Sequence, residues 1–119
     1  MQEPLRIAFR NMEPPIGVDA TVRANAAELE RFYDRIIGCS VVIEARHRSH
    51  HQGNLYRVRI ELSVPDRTLV VGREPAEHRA YEDLHVAIRD AFEAAKRQLQ
   101  DYVRAKRGDV KTHAAAPQA

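Results

Sequence analysis

In the stretch Leu55-Tyr56-Arg57-Val58-Arg59-Ile60-Glu61-Leu62-Ser63-Val64, Tyr56, Val58, Ile60, Leu62 and Val64 alternate with Arg57, Arg59, Glu61 and Ser63. Successive side chains of a strand point to opposite faces, so this pattern predicts a strand with one face on a core and the other in water. Working outward, Arg48-Ser49-His50-His51-Gln52-Gly53-Asn54 is a polar turn, and Cys39 to His47, rich in β-branched residues, is the strand before it. Pro65-Asp66 makes the turn on the other side, and Thr68-Leu69-Val70-Val71 is the next strand. Three strands joined by short turns form a meander. Further upstream, Leu5-Arg6-Ile7-Ala8-Phe9-Arg10 alternates with period two and supplies a first strand, which Pro14-Pro15 stops.

Two helices complete the order. Val22, Ala26, Leu29, Tyr33 and Ile36 recur at three- and four-residue spacing, with Asp19 placed to start a helix and Gly38 to end it. A polar loop covers Gly72 to Ala80. From about Glu82 to Arg107, Leu84, Ile88, Ala91, Phe92, Ala95, Leu99, Tyr102 and Val103 share one face of a second helix, which Gly108 is expected to end. The expected organisation is a single α+β domain over residues 1–108, followed by a disordered tail over 109–119. Its architecture is a βαβββα two-layer sandwich, a four-stranded sheet with two helices packed on one face, because each helix has one apolar stripe to bury.

Composition narrows the function. A chain of 119 residues with 44% hydrophobic residues supports one modest core. Cys39 is the only cysteine, which excludes an intramolecular disulfide and a cysteine-based zinc site; at the head of an apolar run it reads as a small buried hydrophobe. There is no Trp, and three Phe and four Tyr give little to line a pocket for a large flat cofactor. No apolar run is long enough to cross a bilayer and Met1 to Arg10 does not look like a signal peptide, so a cytoplasmic protein without a membrane partner is expected.

Catalytic patterns are missing: no Gly-rich phosphate loop, no Gly-x-Ser-x-Gly elbow, and acid pairs such as Glu82-Asp83 that sit at helix ends or on solvent faces. We expect no enzyme, no catalytic residues, no cofactor and no small-molecule substrate. His47, His50 and His51 fall within five residues, yet no carboxylate or cysteine stands near to complete a metal site, so no metal is expected there.

The net charge of +2 decides nothing, but the charge is local. Arg46, Arg48, Arg57 and Arg59 lie in a segment without an acid, and Arg104, Lys106, Arg107 and Lys111 face Asp109 alone near the C-terminus. On the second helix Arg89, Lys96, Arg97, Arg104 and Arg107 fall within an arc of about a quarter turn opposite the apolar stripe, with Glu93 as the acid among them. The row runs about five turns, roughly 27 Å, and can meet successive phosphates. A βαβββα sandwich presenting such a helix reads the shape of RNA rather than base sequence. No helix-turn-helix or zinc pattern exists to enter a DNA major groove.

Three segments resemble the ribosome hibernation factors, also called ribosomal subunit interface proteins or ribosome-associated translation inhibitors. Arg10-Asn11-Met12-Glu13 is similar to the signature closing the family's first strand. Leu29-Glu30-Arg31-Phe32 followed by Val41-Val42-Ile43 resembles the end of its first helix and its second strand. Glu82-Asp83-Leu84-His85-Val86-Ala87-Ile88 and Lys96-Arg97-Gln98-Leu99 resemble its second helix. The likeness spans about residues 5 to 107.

It implies binding to 16S-type rRNA of the small ribosomal subunit, in the channel where mRNA and tRNA sit, blocking translation in stationary or stressed cells. Carried over by position, the RNA contacts are Arg10, Arg31, Lys96 and Arg97; the charge pattern adds Arg23, Arg89, Arg104, Lys106 and Arg107. The chain departs from the family at His85, usually Tyr, at Arg89, often an acid, and at Ala94, commonly Lys. Asn25 and Glu28 replace residues that are often basic, and the loop from Gly72 to Ala80 is longer than usual. The short form is expected, without the separate dimerisation domain of long members. Two other functions compete: a protein-interaction module of the same fold that has lost ribosome binding, and a metal-binding regulator built on the three histidines.

Overall fold

The structure, a computed structural model, describes residues 1–47, 54–73 and 84–115. Six elements follow in the expected order: β1 (Arg6–Arg10), α1 (Val18–Phe32), β2 (Gly38–His47), β3 (Asn54–Val64), β4 (Arg67–Arg73) and α2 (Leu84–Ala115). The sheet has the order β1-β2-β3-β4. β1 lies parallel to β2, with Arg6 opposite Ser40 and Arg10 opposite Glu44. The other two pairings are antiparallel, as a meander requires. A parallel neighbour cannot be reached by a tight turn, which is why α1 stands between β1 and β2.

The alternation in β3 divides inside from outside. Val58, Ile60, Leu62 and Val64 are buried, while Arg59 is exposed. Cys39, Val41, Ile43 and Ala45 of β2 and Val71 of β4 turn the same way. Apart from Ala45, they meet Val18, Val22, Ala26 and Leu29 of α1 and Leu84, Ile88, Ala91, Ala95 and Leu99 of α2 in one core cluster. Each fully buried Leu or Ile contributes about 1.5–3 kcal/mol. Both helices therefore cover one face of the sheet, and the two-layer α+β sandwich is borne out. Burial also pushes the Cys39 thiol up to about 12, with the nearby Glu30 carboxylate adding to the rise. The thiol is held in its neutral form.

Three helix boundaries differ from the sequence reading. α1 begins after Gly17, which sits at φ 87 in the left-handed region, one turn-forming step before Asp19. It ends at Phe32 rather than Gly38: Tyr33 is extended, and its N–H donates to the Leu29 carbonyl at 3.0 Å. Residues 33–37 are needed to return to the sheet, where the Ile37 N–H bonds Ser63 O at 2.8 Å and Gly38 already pairs with Ser63. Ile36 keeps its place in the core from outside the helix.

Gly108 does not end α2 either, and the helix continues to Ala115. A glycine inside a helix costs about 1 kcal/mol against alanine but stops nothing unless it turns left-handed, and Gly17 is the positive-φ glycine of the described residues. Residues 109–115, expected to be disordered, are thus helical, and 116–119 lie outside the described residues.

Candidate nucleic-acid interface

Burying the apolar stripe of α2 on the sheet turns its other side to solvent, where Arg89, Lys96, Arg97, Arg104 and Arg107 are all exposed. The row is not uniformly positive. Arg89 pairs with Asp90 at 3.5 Å and Glu93 at 4.0 Å, and Arg104 pairs with Asp101 at 3.4 Å. Asp90 and Asp101 thus join Glu93 as acids of this surface. Exposed pairs of this kind are worth about 0–1 kcal/mol and exchange readily for phosphate. Lys96, Arg97 and Arg107 make no ion pair among the described residues. The free positive charge is therefore gathered in the half of α2 beyond Lys96.

The remaining expected contacts scatter. Arg23 lies on the outer side of α1, tied to Asp19 at 2.8 Å. Arg31 is exposed in the last turn of α1, where a cation complements the helix dipole. Lys106 lies apart from the row: its Nζ is 2.9 Å from Asp66 and 5.8 Å from the centre of the Tyr102 ring, at the β3–β4 turn. Arg10 sits on the opposite face of the sheet from both helices. There it borders a depression of about 350 Å³ with Glu44, Arg57, Arg59 and Glu61. The nine residues do not form one surface; six stand on α2, five of them in the outward row, and Arg10 is separated from these by the whole sheet.

Between the helices, Thr21 Oγ1 and His85 Nδ1 are 3.0 Å apart, so His85 ties α2 to α1. Asn25 turns its amide back to the Thr21 carbonyl at 2.8 Å. This groove is lined by Arg89 together with Glu28 and Glu93 and carries no excess of positive charge. At the far end the balance reverses. Arg31, Arg35, Lys106 and Arg107 surround a cleft of about 830 Å³, together with Phe32, Tyr33 and Tyr102.

Reading from sequence overlooked Phe32 and Arg35. The signal was present as Arg31-Phe32-Tyr33-Asp34-Arg35, aromatic rings interleaved with arginines at a helix end. His47 closes β2, and His50 and His51 lie outside the described residues. Among the described residues no group of three or more His, Cys, Asp or Glu side chains is placed to hold a metal ion. No helix among them is long and apolar enough to cross a membrane.

Residues 5–107 match the family model described as sigma 54 modulation protein / S30EA ribosomal protein. Among curated proteins, none matches the chain by sequence. Solved structures share its fold, two of them as follows. The Protein Y N-terminal domain of Thermus thermophilus is 22% identical, with a TM-score of 0.62 over 82% of this chain and 94% of that one. A ribosomal subunit interface protein from Coxiella burnetii is 10% identical, with a TM-score of 0.67 over 84% of this chain and 97% of its own.

Proposed function

The chain belongs to the sigma 54 modulation protein / S30EA ribosomal protein family, and on that premise we propose that it is a non-catalytic, cytoplasmic inhibitor of translation. It binds rRNA of the small ribosomal subunit in the channel for mRNA and tRNA, in stationary phase or stress, and keeps both ligands out by occupying their place. The observation that carries this reading is the exposed half-row Lys96, Arg97, Arg104 and Arg107 on one side of α2, with a rigid core behind it. Cations spaced along a helix track a phosphate backbone without reading bases, which suits a structured RNA surface. Arg23, Arg89 and Arg104 contribute less than Lys96, Arg97 and Arg107, since each must first leave a carboxylate.

Co-sedimentation with small subunits tests the proposal. Four phosphate contacts give a log–log dependence of affinity on salt with a slope of about −3. Replacing Lys96, Arg97 and Arg104 together by Glu should bring ribosome association to background. Pelleting of that triple variant at the wild-type level would remove α2 as the contact surface. The groove near Asn25 and Glu28, without excess positive charge, favours a second reading, a protein-interaction module that no longer binds ribosomes. Its mark is no ribosome association at low salt together with a stable protein partner.

A further inference from the structure

We propose that the cleft between the end of α1 and the last third of α2 receives one unpaired nucleotide of an RNA strand, its base stacked on Phe32 and its phosphates held by Arg31, Arg35 and Arg107. The proposal rests on the RNA-binding reading but concerns a cleft that shares Arg107 alone with the outer row of α2, and a different chemistry.

Phe32 is 41% exposed, although it is a large apolar ring at the end of an otherwise well-packed helix. Among the described residues it is the only aromatic side chain so exposed; Tyr33 and Tyr56 are half-buried, and Phe92 and Tyr102 are buried. Core packing does not require it there, since Leu29 and Ile36 already fill the adjoining core from this segment. The ring forms part of a concave wall, and a cleft of about 830 Å³ falls in the range of about 300–1,000 Å³ seen for ligand sites.

The floor of the cleft is rigid. The Tyr33 and Tyr102 rings meet edge to face at 79°, with centres 5.9 Å apart. The Tyr102 hydroxyl donates to Asp66 Oδ1 at 2.8 Å. Lys106 occupies the other carboxylate oxygen at 2.9 Å, and Arg67 stands 3.6 Å from it, so the charge of Asp66 is already answered and does not repel an anion. Arg31, Arg35 and Arg107 are exposed and make no ion pair among the described residues. Asp34 is the acid on the rim. Three available guanidinium groups around one exposed ring match a nucleotide, which offers a flat face and an anion joined by a short linker. An acidic peptide would use the arginines and leave the ring without a partner. A-form duplex RNA keeps its bases stacked within the helix and could not reach the ring.

The absence of Trp makes a clean test possible. Phe32→Trp places a single indole in the cleft, and titration with an oligoadenylate of about ten nucleotides should quench its emission saturably. Phe32→Ala should weaken binding of the labelled oligoadenylate by about tenfold or more, measured well below the melting temperature of the variant so that loss of fold is not read as loss of binding. Two outcomes overturn the proposal: indole emission that stays constant while the oligonucleotide binds, or wild-type affinity in Phe32→Ala. Equal quenching by duplex RNA or by polyglutamate also sinks it. Ribosome co-sedimentation of the unmodified chain separates the two claims. A chain that pellets with ribosomes while the indole stays silent loses the cleft alone; a responsive indole in a chain that never pellets leaves the cleft standing and removes the ribosome.

Discussion

Asn11 is the non-glycine residue with a left-handed backbone among the described residues, at φ 60, just where β1 must be left behind. Its side-chain amide donates to the Ala45 carbonyl at 3.0 Å, tying the end of β1 to β2 across the parallel pairing. Asparagine tolerates this conformation better than other side-chain-bearing residues. Asn11→Ala should therefore cost about 2 kcal/mol, the sum of backbone strain and a lost hydrogen bond, and Asn11→Gly about half of that; denaturant melts check both. Asp66 gives the second expectation at this scale. Hydrogen bonding from Lys106, then from Tyr102, holds its carboxyl at about 2, below the ordinary 3.8. A folded value below the unfolded one adds stability that is fully present above about pH 4 and is lost as pH falls through about 2. Acid titration of the fold should show this loss, and Asp66→Asn should flatten it. Neither residue's role was legible in the sequence: Asn11 stood in a recognisable motif without its conformation, and Asp66 was read as turn chemistry alone.

At the scale of the elements the sequence was most readable where one face is buried and the other wet. The β3 alternation predicted the burial of Val58, Ile60, Leu62 and Val64, and the α2 stripe that of Leu84, Ile88, Ala91, Phe92, Ala95, Leu99 and Tyr102, while Tyr56 and Val103 at the ends of the two patterns are half-buried. A period of two or 3.6 leaves each side chain one destination. Ends were less readable, because a glycine signals a helix stop only when the chain also turns. Gly38 is consumed by pairing with Ser63, and Gly108 stays within the helix. Space around a Cβ at Gly108 is open. Gly108→Ala should then raise stability by about 0.5–1 kcal/mol, visible as a higher melting temperature and greater helicity; a loss of stability would show that the helix does stop there. The cation row was legible as a pattern, but its ion pairs were not. Arg104 and Asp101 are three residues apart and Arg89 and Glu93 four, spacings that any helix wheel contains, whereas the reach of Lys106 to Asp66 depends on where β4 turns.

Across the whole molecule, positive charge is distributed along a gradient. The half of the helical layer near Thr21 and His85 is balanced by Glu28 and Glu93, and the half near Phe32 and Arg107 is not. The other side of the sheet carries Arg6, Arg10 and Arg59 exposed, with Arg57 half-buried beside Glu44 and Glu61. No single stretch of sequence announces this division, since each cluster draws on elements far apart in the chain. The parallel seam between β1 and β2 has one more consequence. The three antiparallel strands can zip from their turns, while the first strand has nothing to dock on until the crossover helix has brought it round. Deuterium uptake under native conditions should accordingly reach the amides of Arg6–Arg10 well before those of β3, making the chain's opening strand the latch that engages last and slips first.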